Sequence, residues 1–328
     1  MIIALQPHIM EHSVFAAVRR DPLIEPHYQR SFARCYEERE PDRRERAFQE
    51  LHETWFCQLG LKERILGVAR EFEHLVAHVN RLAVTHAPSP RAHVVELFGA
   101  PGRYTVAMAV TPALLLDPDG FVYWARHEFM HVDDMLDPAF GFVKDDWPVG
   151  SNRAAKNLFQ DRYAVLWAMS IDARLARRGQ LPDGVRERRK GEFVRAFALQ
   201  QAEPGTGLFD LHWEKWGESR PDHADIADSA GPGSQELRAL ERQAGAEAPR
   251  MAGGGTCSLC GFSTFGWGSP EDASDIAAAV TADFPGWLPE HGVCGRCVEV
   301  YRAGAGRQGG ADLKLGGLDC AVSEGVVH

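Results

Sequence analysis

The sequence predicts an α+β fold that is mainly helical, with a short β-hairpin just before a metal-binding helix and a small cysteine-held module near the C-terminus. Three observations carry this reading. Apolar residues recur at three- and four-residue intervals over long stretches such as 62–84, the period of a helix with one buried face. Two β-rich runs, 93–98 and 103–110, flank Gly99-Ala100-Pro101-Gly102, which reads as a hairpin with a four-residue loop. Two C-x2-C pairs, Cys257 with Cys260 and Cys294 with Cys297, stand apart from the rest, the spacing of a thiolate metal site.

A chain of 328 residues can bury a substantial core and still carry a second module. The expected division is a helical metal-binding domain over 1–228, a flexible linker with a short helix over 229–255, the four-cysteine module over 256–304, and a glycine-rich tail over 305–328 with little to pack. The formal charge of -10 argues against nonspecific nucleic-acid binding as the main role. No apolar run is long enough to span a bilayer, and polar residues interrupt Met1-Ile2-Ile3-Ala4-Leu5-Gln6-Pro7-His8 before a signal-peptide core forms. A cytoplasmic protein without membrane contact is therefore expected. Seven cysteines, four of them paired for metal and three without a disulfide framework, agree with that compartment.

In chain order, 26–40 and 42–59 read as helices, with Gly60 stopping the second. The pattern of Ile65, Leu66, Val68, Phe72, Leu75, Val76, Val79 and Leu82 then predicts a third helix over 62–84. It carries His74 and His78 one turn apart. Leu75 stands beside the first histidine where a catalytic glutamate would be needed. Arg70 and Arg81 share the pair's helix face and would repel a cation, so His74 and His78 are expected to be solvated. His86 is expected at the surface. The hairpin that follows either holds an extended peptide along an edge strand or only covers the helix core.

His127-Glu128-Phe129-Met130-His131 sets two imidazoles four residues apart with a carboxylate beside the first. On a helix both rings come to one face, close enough to hold one divalent ion, and the glutamate can take a proton from metal-bound water. Phe121, Val122, Tyr123, Trp124, Val132, Met135 and Leu136 make that helix largely apolar, and Asp137-Pro138 ends it. Histidines buried there need partners, either an ion or neighbouring carboxylates. A hydrolytic site needs a third protein ligand and an open position for water. Asp134 shares the face of the histidines. The next long helix, 153–178, offers Asp172 and, in reserve, Asp161; Asp172 sits among Leu166, Trp167, Met169, Ile171 and Leu175, where an unpaired carboxylate would be costly. A salt bridge to Arg174 or another arginine is the competing use of Asp172.

At His127, Glu128 and His131, and in the helix ending Ile171-Asp172-Ala173-Arg174-Leu175 before Gly179, the chain resembles the zincin metallopeptidases, over roughly 92–179. The resemblance implies a zinc-dependent hydrolase acting on a peptide or protein, with Glu128 as general base and His127 and His131 as zinc ligands; Asp172, favoured from its apolar surroundings, is the expected third ligand. It departs from the pattern at Ala168, where relatives can place the acidic ligand. Two histidines and a carboxylate with open positions also suit a non-haem iron centre that modifies peptides oxidatively, and a metal-stabilised interaction protein without catalysis is the remaining alternative.

Cys257, Cys260, Cys294 and Cys297 supply four thiolates to a tetrahedral zinc, a closed shell and hence a structural ion. Cys260-Gly261 resembles a zinc knuckle, 270–283 reads as a helix, and Val298-Glu299-Val300-Tyr301-Arg302 as a helix start, so the module resembles a zinc ribbon or treble clef. Folding of so small a unit would depend on the ion. Phe262, Phe265, Trp267 and Trp287 are read as its core more than as base-stacking platforms, since few basic residues accompany them. A protein partner is favoured over nucleic acid.

Overall fold

The computed structural model describes residues 1–143, 153–197, 205–231, 255–260, 263–264 and 266–305. The chain divides into two compact units, Met1–Pro138 and Ala139–His328. Most of the expected linker and all of the tail beyond residue 305 lie outside the described residues.

In the first unit, strand β1 (Ile2–Leu5) leads into helix α1 (Pro7–Val18), followed by α2 (Glu25–Cys35), α3 (Pro41–Gln58), α4 (Leu61–Ala69) and α5 (Glu73–His78). Strand β2 (Val79–His86), the hairpin β3 (Val94–Phe98) and β4 (Tyr104–Val110), and helices α6 (Pro112–Leu115) and α7 (Pro118–Leu136) complete it. Prolines open α1, α3, α6 and α7, where the missing N–H is no loss and φ is already helical. Gly60, expected as a stop, adopts φ of +71° just after α3, a conformation costly for any residue with a Cβ.

The four strands form one sheet in the order β1-β2-β4-β3, with β1, β2 and β4 parallel and β3 antiparallel to β4. The hairpin thus forms where the sequence placed it. The helix expected over 62–84 does not run through. It breaks after Ala69, and its last six residues belong to the parallel strand β2. The cause is local: a register shift between Val79 and Arg81 inserts an extra residue, so the buried Val79 and Leu82 lie three apart and imitate a helical period. Strand β1 and helix α1 were not assigned from sequence. Leu82, Val84, Val106, Met108, Phe121 and Phe129 are fully buried and form the core of this unit.

The second unit holds α8 (Arg153–Arg177), α9 (Val185–Ala196), α10 (Gly205–Glu218) and α11 (His223–Ala230). Asp222 caps α11 reciprocally with Asp225, satisfying two N–H groups that the first turn leaves unpaired. Leu166, Phe193, Phe209, Trp216 and Ile226 are buried in these helices. The cysteine module has a core of its own, in which Leu259, Ile276, Val280, Trp287, Val293, Val298 and Tyr301 surround the thiols. Among the described residues, no helix is long and apolar enough to cross a membrane.

Candidate metal centres

Asp117 caps α7, accepting the Gly120 N–H at 3.2 Å, and the apolar face bearing Phe121, Ala125, Phe129 and Val132 is buried. That packing fixes the opposite turns, so His127 is buried and His131 half-buried beside it. Their ring centroids lie 5.0 Å apart with the planes at 81°. Two imidazoles bound to one tetrahedral ion at about 2.0–2.1 Å would place their centroids about 5 Å apart, so the pair fits a shared cation. Glu128, the next residue, is half-buried. Within this unit, and among the described residues, His127 and His131 do not belong to a group of three or more donors already gathered within 4.8 Å. Asp134, on the same helix, is 1% exposed.

The remaining third-ligand candidates lie in the second unit. Asp161 is exposed on α8. Asp172 is fully buried, and its Oδ2 accepts the Arg189 Nε–H at 2.6 Å. The arginine that answers the cost of burying this carboxylate therefore comes from α9, while Arg174 turns its Nε to the Ser170 carbonyl at 3.3 Å. Arg126, another cation near the motif, is held by Glu71 through two bonds of 2.7 and 2.8 Å.

The pair His74 and His78 has a different geometry. Its rings are parallel, 4° between planes and 6.3 Å between centroids, and His74 Nε2 faces Asp137 Oδ2 at 3.5 Å. The expectation of a solvated pair holds for His78, which is exposed, but His74 is half-buried against that carboxylate. The argument from Arg70 and Arg81 fails: Arg70 caps α4 and pairs with Glu63, and Arg81 lies on β2.

In the cysteine module, β5 (Gly255–Thr256) and β6 (Ser263–Thr264) pair antiparallel around the first two cysteines, and the second two sit at the start of the helix Gly295–Ala305. The four sulfurs lie within 4.8 Å of one another, with Cys257 to Cys297 at 3.9 Å and Cys260 to Cys294 at 3.7 Å. Backbone N–H groups point at two of them, Cys294 N to Cys257 Sγ at 3.3 Å and Cys297 N to Cys294 Sγ at 3.4 Å. Hydrogen bonds from the Cys260 and Cys297 side chains hold the Cys257 thiol well below its ordinary range. The Cys297 thiol is pushed far up by the Cys257 and Cys260 sulfurs. A divalent cation among the four sulfurs would favour the thiolate form of each of them. The residues thus fit a four-thiolate metal such as zinc. Trp287 Nε1 donates to Ser258 Oγ at 3.1 Å, which donates to the Gly292 carbonyl at 2.8 Å, tying the first cysteine turn to the segment that delivers the second.

A further group was missed in the sequence. On α1, the donor atoms of His8, Glu11 and His12 lie within 4.8 Å of one another. His86, expected as a plain surface residue, is half-buried with its ring 5.0 Å from that of His12. Burial lowers its pKa, and the neighbouring His12 and His8 lower it further. Half of the signal was available, because histidines at i and i+4 with a glutamate at i+3 repeat the one-turn spacing of the α7 pair. The approach of His86 was not, because it depends on a strand assignment. Compared with known proteins, the chain matches no family model, no curated protein and no solved structure.

Proposed function

We propose that the chain is a zinc-dependent hydrolase acting on a peptide or protein, of the zincin type that its α7 motif resembles. The observation that supports this reading best is the near-perpendicular convergence of the buried His127 and half-buried His131, 5.0 Å apart, beside Glu128 on α7. Zinc held there would polarise a scissile carbonyl and lower the pKa of a bound water. The two imidazoles, packed on α7, would hold the ion, and Glu128 beside them would accept a proton from the attacking water and donate it to the leaving nitrogen. The third donor in this reading is a carboxylate; of the three sequence candidates Asp134 lies on α7 itself, whereas Asp172 is already held by Arg189. The four-cysteine module is a zinc-ribbon or treble-clef-like structural unit, and its surface is proposed to meet a protein partner.

The test is Glu128→Gln in the full chain. It should keep the α7 zinc and lose about 10²- to 10⁴-fold in peptide turnover, the usual contribution of a general base. Unchanged cleavage of a broad peptide library by this variant would refute the assignment. Iron in place of zinc at His127 and His131 would redirect the proposal to oxidative chemistry.

A further inference from the structure

We propose a second histidine-based metal site, in which His8, Glu11 and His12 on α1 bind a divalent transition-metal ion of the zinc class, with His86 from β2 as the fourth donor. It does not rest on the hydrolase reading. Imidazole nitrogens and a carboxylate are the donor set of borderline divalent cations, and three such donors are already gathered within 4.8 Å. His86 lies outside that gathered set but beside it, its ring centroid 5.0 Å from that of His12, the separation expected of two imidazoles on one ion.

The backbone fixes this approach. Parallel pairing of β1 with β2 sets Leu5 opposite Val84. The Gln6 N–H then continues to the Val84 carbonyl at 2.9 Å. The His86 N–H returns to the Gln6 side-chain oxygen at 3.0 Å. Pro7 starts the helix at once, so the first turn of α1 cannot swing away from the end of β2. Glu11 is half-buried, and among the described residues no arginine or lysine forms an ion pair with it. It also lines a cleft of about 220 Å³ with Tyr36, Phe48 and His52, so solvent reaches the carboxylate. The N-terminal end of α1 adds a partial positive charge, which makes the Glu11 charge necessary for holding a cation here. The ion would staple the N-terminal strand-helix unit to the end of β2.

The test uses the full chain in a His127→Ala background, which removes the α7 site and leaves the cysteine site intact. After stripping and reloading with zinc alone, that variant is expected to hold two zinc ions per chain, and the further substitution His12→Ala to hold one. His8→Gln provides an independent second variant with the same expected loss; both positions are exposed, and far-ultraviolet circular dichroism checks the fold. Loss of an outer-shell partner alone costs about 10- to 100-fold in metal affinity, so His86→Asn is expected to weaken the site by at least about tenfold in chelator competition. A His127→Ala protein that binds only one zinc ion, or one whose count is unchanged by both His12→Ala and His8→Gln, overturns the proposal.

Discussion

Substituting Cys294 by alanine tests the best-formed centre in the molecule. A structural zinc in a small domain is worth about 10–16 kcal/mol of apparent binding energy at neutral pH. One of four similar thiolates therefore accounts for about 2.5–4 kcal/mol of it. Cys294 Sγ also accepts the buried Cys297 N–H at 3.4 Å, and an unsatisfied buried donor costs about 1–3 kcal/mol. Together these predict a zinc dissociation constant raised by about two and a half to five orders of magnitude. Competition against a chromophoric chelator reads the affinity directly. Emission from Trp287, 4% exposed in the module core, reports whether that core opens as the ion leaves. Cys57→Ala, at an exposed cysteine, is the control and should change neither. If Cys294→Ala binds zinc within tenfold of the unaltered chain, the sulfur cluster is not a zinc site and the reasoning fails.

Two predictions concern the first unit's stability. Burial holds the His52 imidazole below its ordinary value, with Glu11 and Glu45 partly offsetting it. The unfolded chain then takes up that proton first, so the contribution is complete above the ordinary histidine pKa of about 6.5 and is lost as pH falls through the lower folded value. Urea midpoints should drop between pH 7.5 and pH 5, and His52→Gln should flatten part of that slope; an equal slope in the variant removes His52 as its source. Leu82→Ala, at a fully buried position on β2, should cost about 2–5 kcal/mol, read as a lower urea midpoint at unchanged m. A cost under about 0.5 kcal/mol would mean that β2 is not an interior strand of the sheet.

What could be read from sequence was what is encoded locally. The end of α7 at Leu136 follows from Asp137-Pro138, and the boundaries of the helix Pro270–Asp283 follow from its own residues: Ser269 caps it together with Asp272, and Pro270 opens it. The four thiols were legible because each pair is brought together by a single turn and the donor chemistry needs no knowledge of the fold. Strand β2 was not legible, since a bulge changes its burial period and its partners are remote in the chain, Ile2–Leu5 on one side and Tyr104–Val110 on the other. That one misassignment carried two others with it. It put Arg81 on a helix face beside His74 and His78, and it hid the meeting of His86 with His12.

The three histidine pairs at four-residue spacing show why such a motif proposes a metal site without deciding it. Spacing sets the two Cα positions one turn apart, but the ring orientation depends on what else each imidazole meets. His74 faces the Asp137 carboxylate, and its helix ends at His78, where the chain passes directly into β2; the rings lie parallel and do not converge. His127 and His131 sit mid-helix on a long, well-packed element, and their planes are nearly perpendicular. His8 and His12 are intermediate, at 5.9 Å and 69°, and gain from outside the helix what their own turn lacks, through Gln6 and the end of β2. Convergence of the rings, not recurrence of the spacing, is therefore the property to test. Zinc counts on His127→Ala, His12→Ala and His74→Ala should separate the pairs, with the first two each losing one ion and the third losing none. Loss of an ion from His74→Ala would show that ring orientation does not govern binding, and would remove the basis for ranking the α7 and α1 sites above it.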